Sequence, residues 1–409
     1  MAVEQQLDRH ESIVSSFYGS FPYPWRPMYF DVVSDPDFYG DLIRQETGRR
    51  DLATFDDIWV AGCGTNQALI TALQFPQASV LGTDVSEQSL AICAENARKL
   101  GVTNLRLVQQ GIAQADYAQA FDLVICTGVI HHNPDPVRCL ARLSAALRSH
   151  GVLELMVYNK FHRREKSAFQ EALRILLPGE ERDHHERLSF ARSLADSIQV
   201  ESTLSTYLSD SANRPEASWV DSWMNPCEQS YDVDALWAMA EQCGLTVDAP
   251  KVNQFDRGRN QFLWTLDLTD EKLLREFFSL DDRARWQVVN LLHMNSSPML
   301  WFYLRPAGER VSEADRNRIF LDSVLARPTA TRQRHVLNGD GEYELNSHVF
   351  EFQKWAPEPE VRAVWDAADG TKTGREIFAE IGRGEDFNSV HRARVMLTSV
   401  EFPHLTMRS

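Results

Sequence analysis

No stretch of this 409-residue chain approaches the roughly eighteen consecutive apolar residues that a bilayer crossing demands. The polar start, residues 1–10, lacks a signal-peptide core. The expectation is a soluble, cytoplasmic protein without a membrane partner. Cysteine is sparse: Cys63, Cys93, Cys126, Cys139, Cys227 and Cys243 are scattered, with no Cys-x-x-Cys pair, so neither a disulfide framework nor a zinc site is expected, and no metal is assigned. Positive charge is short as well. Lys and Arg number 42 against 58 Asp and Glu, and a net charge of −16 disfavours a broad phosphate-backbone surface, so nucleic acid is not an expected partner. No internal repeat or low-complexity tract is evident. At this length, with 43% hydrophobic residues, the chain can bury two or three units rather than one core.

What is present centres on one turn. The apolar run Ile58-Trp59-Val60-Ala61 opens into Gly62-Cys63-Gly64, which reads as a buried strand turning sharply into a helix. Without a Cβ at either glycine, the backbone can come close to a ligand. A second strand ends in Asp84, about twenty residues on, where nucleotide-binding α/β sheets place the acid that takes ribose hydroxyls. A third glycine is missing: Thr65, Asn66 and Gln67 follow, so a pyrophosphate is not favoured. A nucleoside without one is.

From residue 57 to 160 the pattern alternates strand (57–61, 79–83, 105–109, 121–126, 151–158) and helix (66–74, 87–100, 136–148), the mark of an α/β fold with a parallel sheet. The strands are rich in Val, Ile and Leu without alternation, as a sheet covered on both faces requires. Ligands in such sheets sit beyond the carboxyl ends of the strands, which gathers residues 62–65, Asp84, the turn Gln110-Gly111-Ile112 and residues 127–133 around one crevice.

The successive motifs Val60-Ala61-Gly62-Cys63-Gly64-Thr65-Asn66, Gly82-Thr83-Asp84-Val85-Ser86 and the run from Phe121 through Asp122, Thr127, Gly128, His131 and His132 to Pro136 resemble those of class I S-adenosylmethionine-dependent methyltransferases. The resemblance covers roughly residues 56–267. It implies a Rossmann-like seven-stranded sheet, S-adenosylmethionine as cofactor, and cofactor contacts at Ala61, Gly62, Gly64, Asn66, Asp84, Val85, Gln110, Gly111, Ile112, Thr127 and Gly128. The family commonly has an acid in the turn after the third strand. Here that turn is Gln110-Gly111-Ile112, so Gln110 or a backbone amide is left to serve the adenine. Asp122, which opens the fourth strand, is read as ordering the sheet.

The domain boundaries follow. Residues 1–50 form an N-terminal arm whose stretch 17–27 alternates aromatics with prolines, a stiff backbone suited to a lid or a packing arm. Residues 51–268 form the cofactor-binding domain, with a helical substrate-covering insertion at about 161–230 after the fifth strand; a helix at 232–243, a strand at 244–247 and a hairpin strand at 261–266 complete the sheet. Residues 269–409 form a small C-terminal α or α+β unit, winged-helix-like, with residues 298–304 read as a strand against the main domain. Its role is read as structural, dimer-forming or substrate-covering, so a homodimer is among the expected partners.

His131 and His132 are the candidate bases for a hydroxyl or amine proton; the two cannot point the same way, so one faces substrate while the other packs. Tyr18, Tyr23, Trp25, Tyr158, Asn159 and Trp223 are the candidate acceptor-binding residues, aromatic faces near a cation gaining cation–π attraction. The basic runs at 160–164 and 257–259 read either as a site for an anionic group or as solvated surface. The expected function is methyl transfer to a small molecule at oxygen or nitrogen. The rival readings are a protein or peptide methyltransferase and a non-catalytic cofactor-binding partner protein.

Overall fold

The computed structural model describes residues 2–24, 26–49, 52, 54–178, 183–199, 201–252, 264–294, 296–352 and 357–408. The arm begins as helix α1 (Ala2–Ser20), passes the aromatic and proline-rich stretch, and continues as strand β1 (Tyr29–Val33) and helix α2 (Phe38–Thr47). The central layers then alternate. Strand β2 (Asp57–Ala61) leads into α3 (Gln67–Gln74), β3 (Ser79–Asp84) into α4 (Glu87–Lys99), β4 (Leu105–Gln109) into a short helical turn, and β5 (Phe121–Thr127) into α5 (Pro136–Ala146) and β6 (Leu147–Tyr158). Local chemistry sets these starts: the Ser86 side chain accepts from the Ser89 N–H to cap α4, and Asp135 accepts from the Arg138 N–H ahead of a helix that opens on Pro136.

The insertion comprises α6 (Lys160–Leu176), α7 (His184–Ser197), α8 (Thr203–Ser211) and α9 (Glu216–Met224). The chain returns through α10 (Val233–Gln242) to β7 (Leu245–Pro250), then α11 (Glu271–Ser279), α12 (Asp282–His293) and β8 (Met299–Pro306). Among the described residues the central sheet has seven strands in the order β4-β3-β2-β5-β6-β8-β7; the first five run parallel, and β8 is antiparallel to both its neighbours.

The seventh strand is a correction to the sequence reading. Of the expected strand at 261–266, residues 261–263 lie outside the described residues and residues 264–266 are not in a strand. The antiparallel partner of β7 is β8, paired Val247 with Leu304 and inserted beside β6 with Leu155 opposite Phe302. The boundary at 268 therefore falls inside the sheet. Leu300, Phe302, Tyr303 and Leu304 are fully buried, which an apolar run gains only in the interior of a sheet covered on both faces.

Asp122 ties the sheet's lower edge together. Its Oδ2 accepts from the Asp56 and Asp57 N–H groups at 3.1 and 3.0 Å and from Arg148 at 2.6 Å. Beyond β8 come α13 (Glu313–Asp322), β9 (Val324–Ala326), the hairpin β10 (Thr331–Leu337) and β11 (Tyr343–Glu351), helices α14 (Pro359–Ala367), α15 (Gly374–Glu380) and α16 (Phe387–Thr398), and β12 (Thr406–Arg408). The hairpin adds β1 from the arm to make a three-stranded antiparallel sheet, so the two ends of the chain are structurally joined. Buried Glu313 ion-pairs with Arg316 and Arg394; burial would raise its carboxyl, and the two guanidiniums and His391 hold it well below the usual range. No described helix is long and apolar enough to cross a membrane.

Candidate active site

Strand β2 ends at Ala61, and the backbone then turns through Gly62 at φ +70° and Gly64 at φ +55°. Space demands glycine at both positions as firmly as conformation does. A Cβ at Gly62 would lie 2.5 Å from the Val129 side chain, and one at Gly64 would lie 2.8 Å from the Tyr23 carbonyl oxygen. The turn is pinned to the neighbouring strand: the Gly62 and Cys63 N–H groups donate to the Thr83 carbonyl, and the Gly64 N–H donates to Asp84 Oδ2 at 2.8 Å. Asp84 Oδ1 accepts from the Ser86 N–H at 2.9 Å. Burial raises the Asp84 carboxyl above its usual value against the pull of those N–H donors.

Above these strand ends lies a cavity of about 410 Å³, in the range of small-molecule sites. The first turn contributes Gly62, Gly64 and Asn66 to its wall; β3 contributes Asp84 and Val85; the turn after β4 contributes Gln110, Gly111 and Ile112; and β5 contributes Thr127 and Gly128. Ala61 stops one residue short, buried in the core behind the turn. This half fits S-adenosylmethionine. Two bare backbone positions leave room at the glycine turn, and the Asp84 carboxylate, fixed by backbone N–H donors, lines the cavity as an acceptor for a ribose hydroxyl.

The opposite half is made of side chains. Tyr18 and Tyr23 come from the arm, Tyr158 from the end of β6, Asp221 from α9, and Met299 and Trp301 from β8. The Tyr18 hydroxyl donates to Asp221 Oδ1 at 2.9 Å and the Tyr158 hydroxyl to Oδ2 at 3.2 Å, while Asn225 Nδ2 donates to the Tyr18 oxygen at 3.1 Å. Burial first, and the Asp221 charge second, push both phenols well above their usual pKa, so both remain donors. The arm is fastened over the glycine turn: the Thr65 hydroxyl donates to the Pro24 carbonyl at 2.7 Å, and Phe17 and Phe21 are buried among Phe169, Leu173, Trp219 and other residues of the insertion. It is at once a wall of the cavity and a packing element.

The histidine pair divides. His132 lines the cavity, and its Nδ1 lies 2.9 Å from the Cys227 carbonyl; a carbonyl only accepts, so Nδ1 carries the proton and the lone pair of the neutral ring is on Nε2. His131 is fully buried and does not line the cavity; its ring centroid lies 4.0 Å from that of Tyr158. Burial, then His132 and Arg163, hold its imidazole well below the usual pKa.

Two further placements differ from the sequence reading. Asn159 is buried as a connector, its amide donating to the Met294 and Ser297 carbonyls and its oxygen capping α6 at the Phe161 N–H. Trp223 is fully buried inside the insertion, its Nε1 donating to Ser211. Neither lines the cavity. The basic run is paired off: Lys160 with Asp232, Arg163 with Glu228 and Arg164 with Glu165. Trp25 and the run at 257–259 lie outside the described residues. Sequence reasoning missed Asp221, Met299, Trp301 and Glu11 of α1, all on the cavity wall. Each sits in an ordinary amphipathic or apolar pattern that does not say what it will face.

A family model described as a methyltransferase domain matches residues 61–176. An uncharacterized protein of Synechococcus sp. is 29% identical over 293 residues, covering 68% of both chains. The trans-aconitate 2-methyltransferase of Deinococcus radiodurans is 40% identical over 97 residues, 24% of this chain and 35% of that enzyme, so the chain spans about a third of that relative's length. Among solved structures, PKMT2 from Rickettsia typhi in complex with AdoHcy superposes with a TM-score of 0.58 at 14% identity, over 94% of this chain and 77% of that one, a likeness of fold. With the glycine turn, Asp84 and the seven-stranded sheet in place around the residues that match a methyltransferase-domain model, S-adenosylmethionine is the cofactor the site fits.

Proposed function

We propose that the protein is a methyltransferase whose acceptor is a small molecule, methylated at nitrogen or oxygen. The observation that carries this reading is the division of one cavity into a backbone-lined half around Asp84 and a half lined by Tyr18, Tyr23, Tyr158 and Asp221. When bound, S-adenosylmethionine supplies an activated methyl group for an in-line displacement, in which position and exclusion of water matter more than covalent help. Gly62, Gly64 and Asp84 fix the donor end. Asp221 keeps lone pairs beyond those it gives the two phenols, and with the tyrosine faces around it this end suits an amine or its ammonium form. The arm and the insertion supply Tyr18, Tyr23 and Asp221 to the cavity wall. An amine or hydroxyl must shed a proton to react, and we assign that proton to His132 Nε2, whose tautomer Cys227 fixes. His131 packs behind Tyr158 and takes no proton.

The test is transfer of labelled methyl from the cofactor into a size-fractionated metabolite extract by the purified protein. The expected result is label in the low-molecular-mass fraction. Label in the protein or RNA fraction contradicts the small-molecule acceptor, and tight cofactor binding with no label in any fraction contradicts the enzyme.

A further inference from the structure

The turn after β4, Gln110-Gly111-Ile112, lines the cavity, and it contains no carboxylate of its own. One arrives from α1. Glu11 lines the cavity, and a Cβ built on Gly111 would meet Glu11 Oε1 at 2.1 Å, Cδ at 2.6 Å and Oε2 at 2.8 Å. Gly111 has φ −76° and ψ 148°, an extended conformation open to any residue. The Glu11 carboxylate lies directly against the bare Cα of Gly111. The helix that brings this carboxylate is fastened to the ribose end, because the Ser15 hydroxyl donates to the Val85 carbonyl at 3.0 Å, one residue after Asp84. Farther along, Tyr18 is held by Asp221.

An adenine presents an exocyclic amine, two donors that need an acceptor, beside ring nitrogens that need donors. The backbone N–H groups of the turn can serve only the ring nitrogens. Gln110 is turned to Tyr117, whose hydroxyl donates to Gln110 Oε1 at 2.7 Å. Glu11 brings a carboxyl oxygen, an acceptor, to this turn. We propose that Glu11 accepts the hydrogen bond of the cofactor's exocyclic adenine amine, so that α1 completes the cofactor site and sets its choice of base. The proposal rests on the methyltransferase reading, and its test separates the two.

Calorimetry is run with S-adenosylhomocysteine and with its inosine counterpart, which carries a carbonyl in place of the exocyclic amine, on the full chain and on Glu11→Gln and Gly111→Ala. The full chain is expected to prefer the adenosine form by at least about tenfold, the size of one charge-assisted hydrogen bond. Glu11→Gln offers an amide that can donate to the carbonyl, and is expected to lose most of that preference through weaker adenosine and tighter inosine binding. Gly111→Ala, with a methyl where the carboxylate lies, is expected to lose it with Glu11 untouched. If the full chain binds neither ligand, the cofactor reading fails and the proposal with it. If it binds the adenosine form and Glu11→Gln keeps the full preference, the cofactor reading stands and the proposal is overturned. Tighter adenosine binding by Glu11→Gln also overturns it, since Glu11 would then compete with the base.

Discussion

Apart from Glu11 of α1, the cofactor half of the cavity is made by strand ends and turns within residues 62–128, whereas the acceptor half draws Tyr18 and Tyr23 from the arm, Tyr158 from β6, Asp221 from α9 and Trp301 from β8. The first is largely backbone, set by two positive-φ glycines and a carboxylate held by the Gly64 and Ser86 N–H groups of two successive turns. The second is side chains on elements far apart in sequence, fixed by packing and by a shared hydrogen-bond centre at Asp221. The comparison teaches that donor binding is built into the sheet, while acceptor choice is a property of what was laid over it. Changing the insertion can change the substrate without disturbing the turn.

The largest expected effect comes from removing the assigned base. His132→Asn should lower turnover by roughly 10²–10⁴-fold, the usual yield of general acid–base catalysis, with cofactor affinity by calorimetry unchanged. His131→Asn should leave the proton step intact, and an equal loss of turnover from the two variants would break the division of the pair. On the cofactor side, Asp84→Ala should weaken S-adenosylhomocysteine binding by about 1.5–3 kcal/mol, as it removes a charged acceptor and leaves the Gly64 N–H unpaired. At saturating cofactor its turnover should recover, and a turnover loss that saturation does not repair would mean the two halves are not separable.

The smallest effect is a pH dependence. Burial raises the Asp84 carboxyl, so the cofactor-free protein protonates it at higher pH than an ordinary aspartate. Ribose hydroxyls donate to the carboxylate, not to the acid. Binding should therefore be full above the raised value and weaken as pH falls through it, beginning above the usual carboxylate range. Titration calorimetry across acidic pH checks this, and Asp84→Asn should bind weakly with no such slope.

The same contrast explains what was legible in the sequence. Gly62, Gly64 and Asp84 could be read because a sharp strand-to-helix turn requires particular residues at consecutive positions, and the strand ends follow from period and composition. The run at 298–304 could be read as a strand, but not its place between β6 and β7. The nearer run at 261–266 looked like the shorter connection, and nothing local reveals that α11 and α12 intervene. Asn159 and Trp223 were placed in the pocket for their position and type. The fold spends Asn159 on capping and joining loops, and Trp223 on the insertion's core. Asp221 and Glu11 could not be found, because a polar residue on an amphipathic helix gives no sign of which partner it will meet.

The most direct measurement is Asp221→Asn, examined in one preparation for cofactor affinity by calorimetry and for steady-state kinetics with the acceptor found in the extract. The expected result is unchanged affinity for S-adenosylhomocysteine with an acceptor KM raised by about tenfold or more, the loss of one charged interaction. A cofactor affinity that falls in step with the acceptor's, or an acceptor KM that does not move, would contradict an acceptor half organised around Asp221.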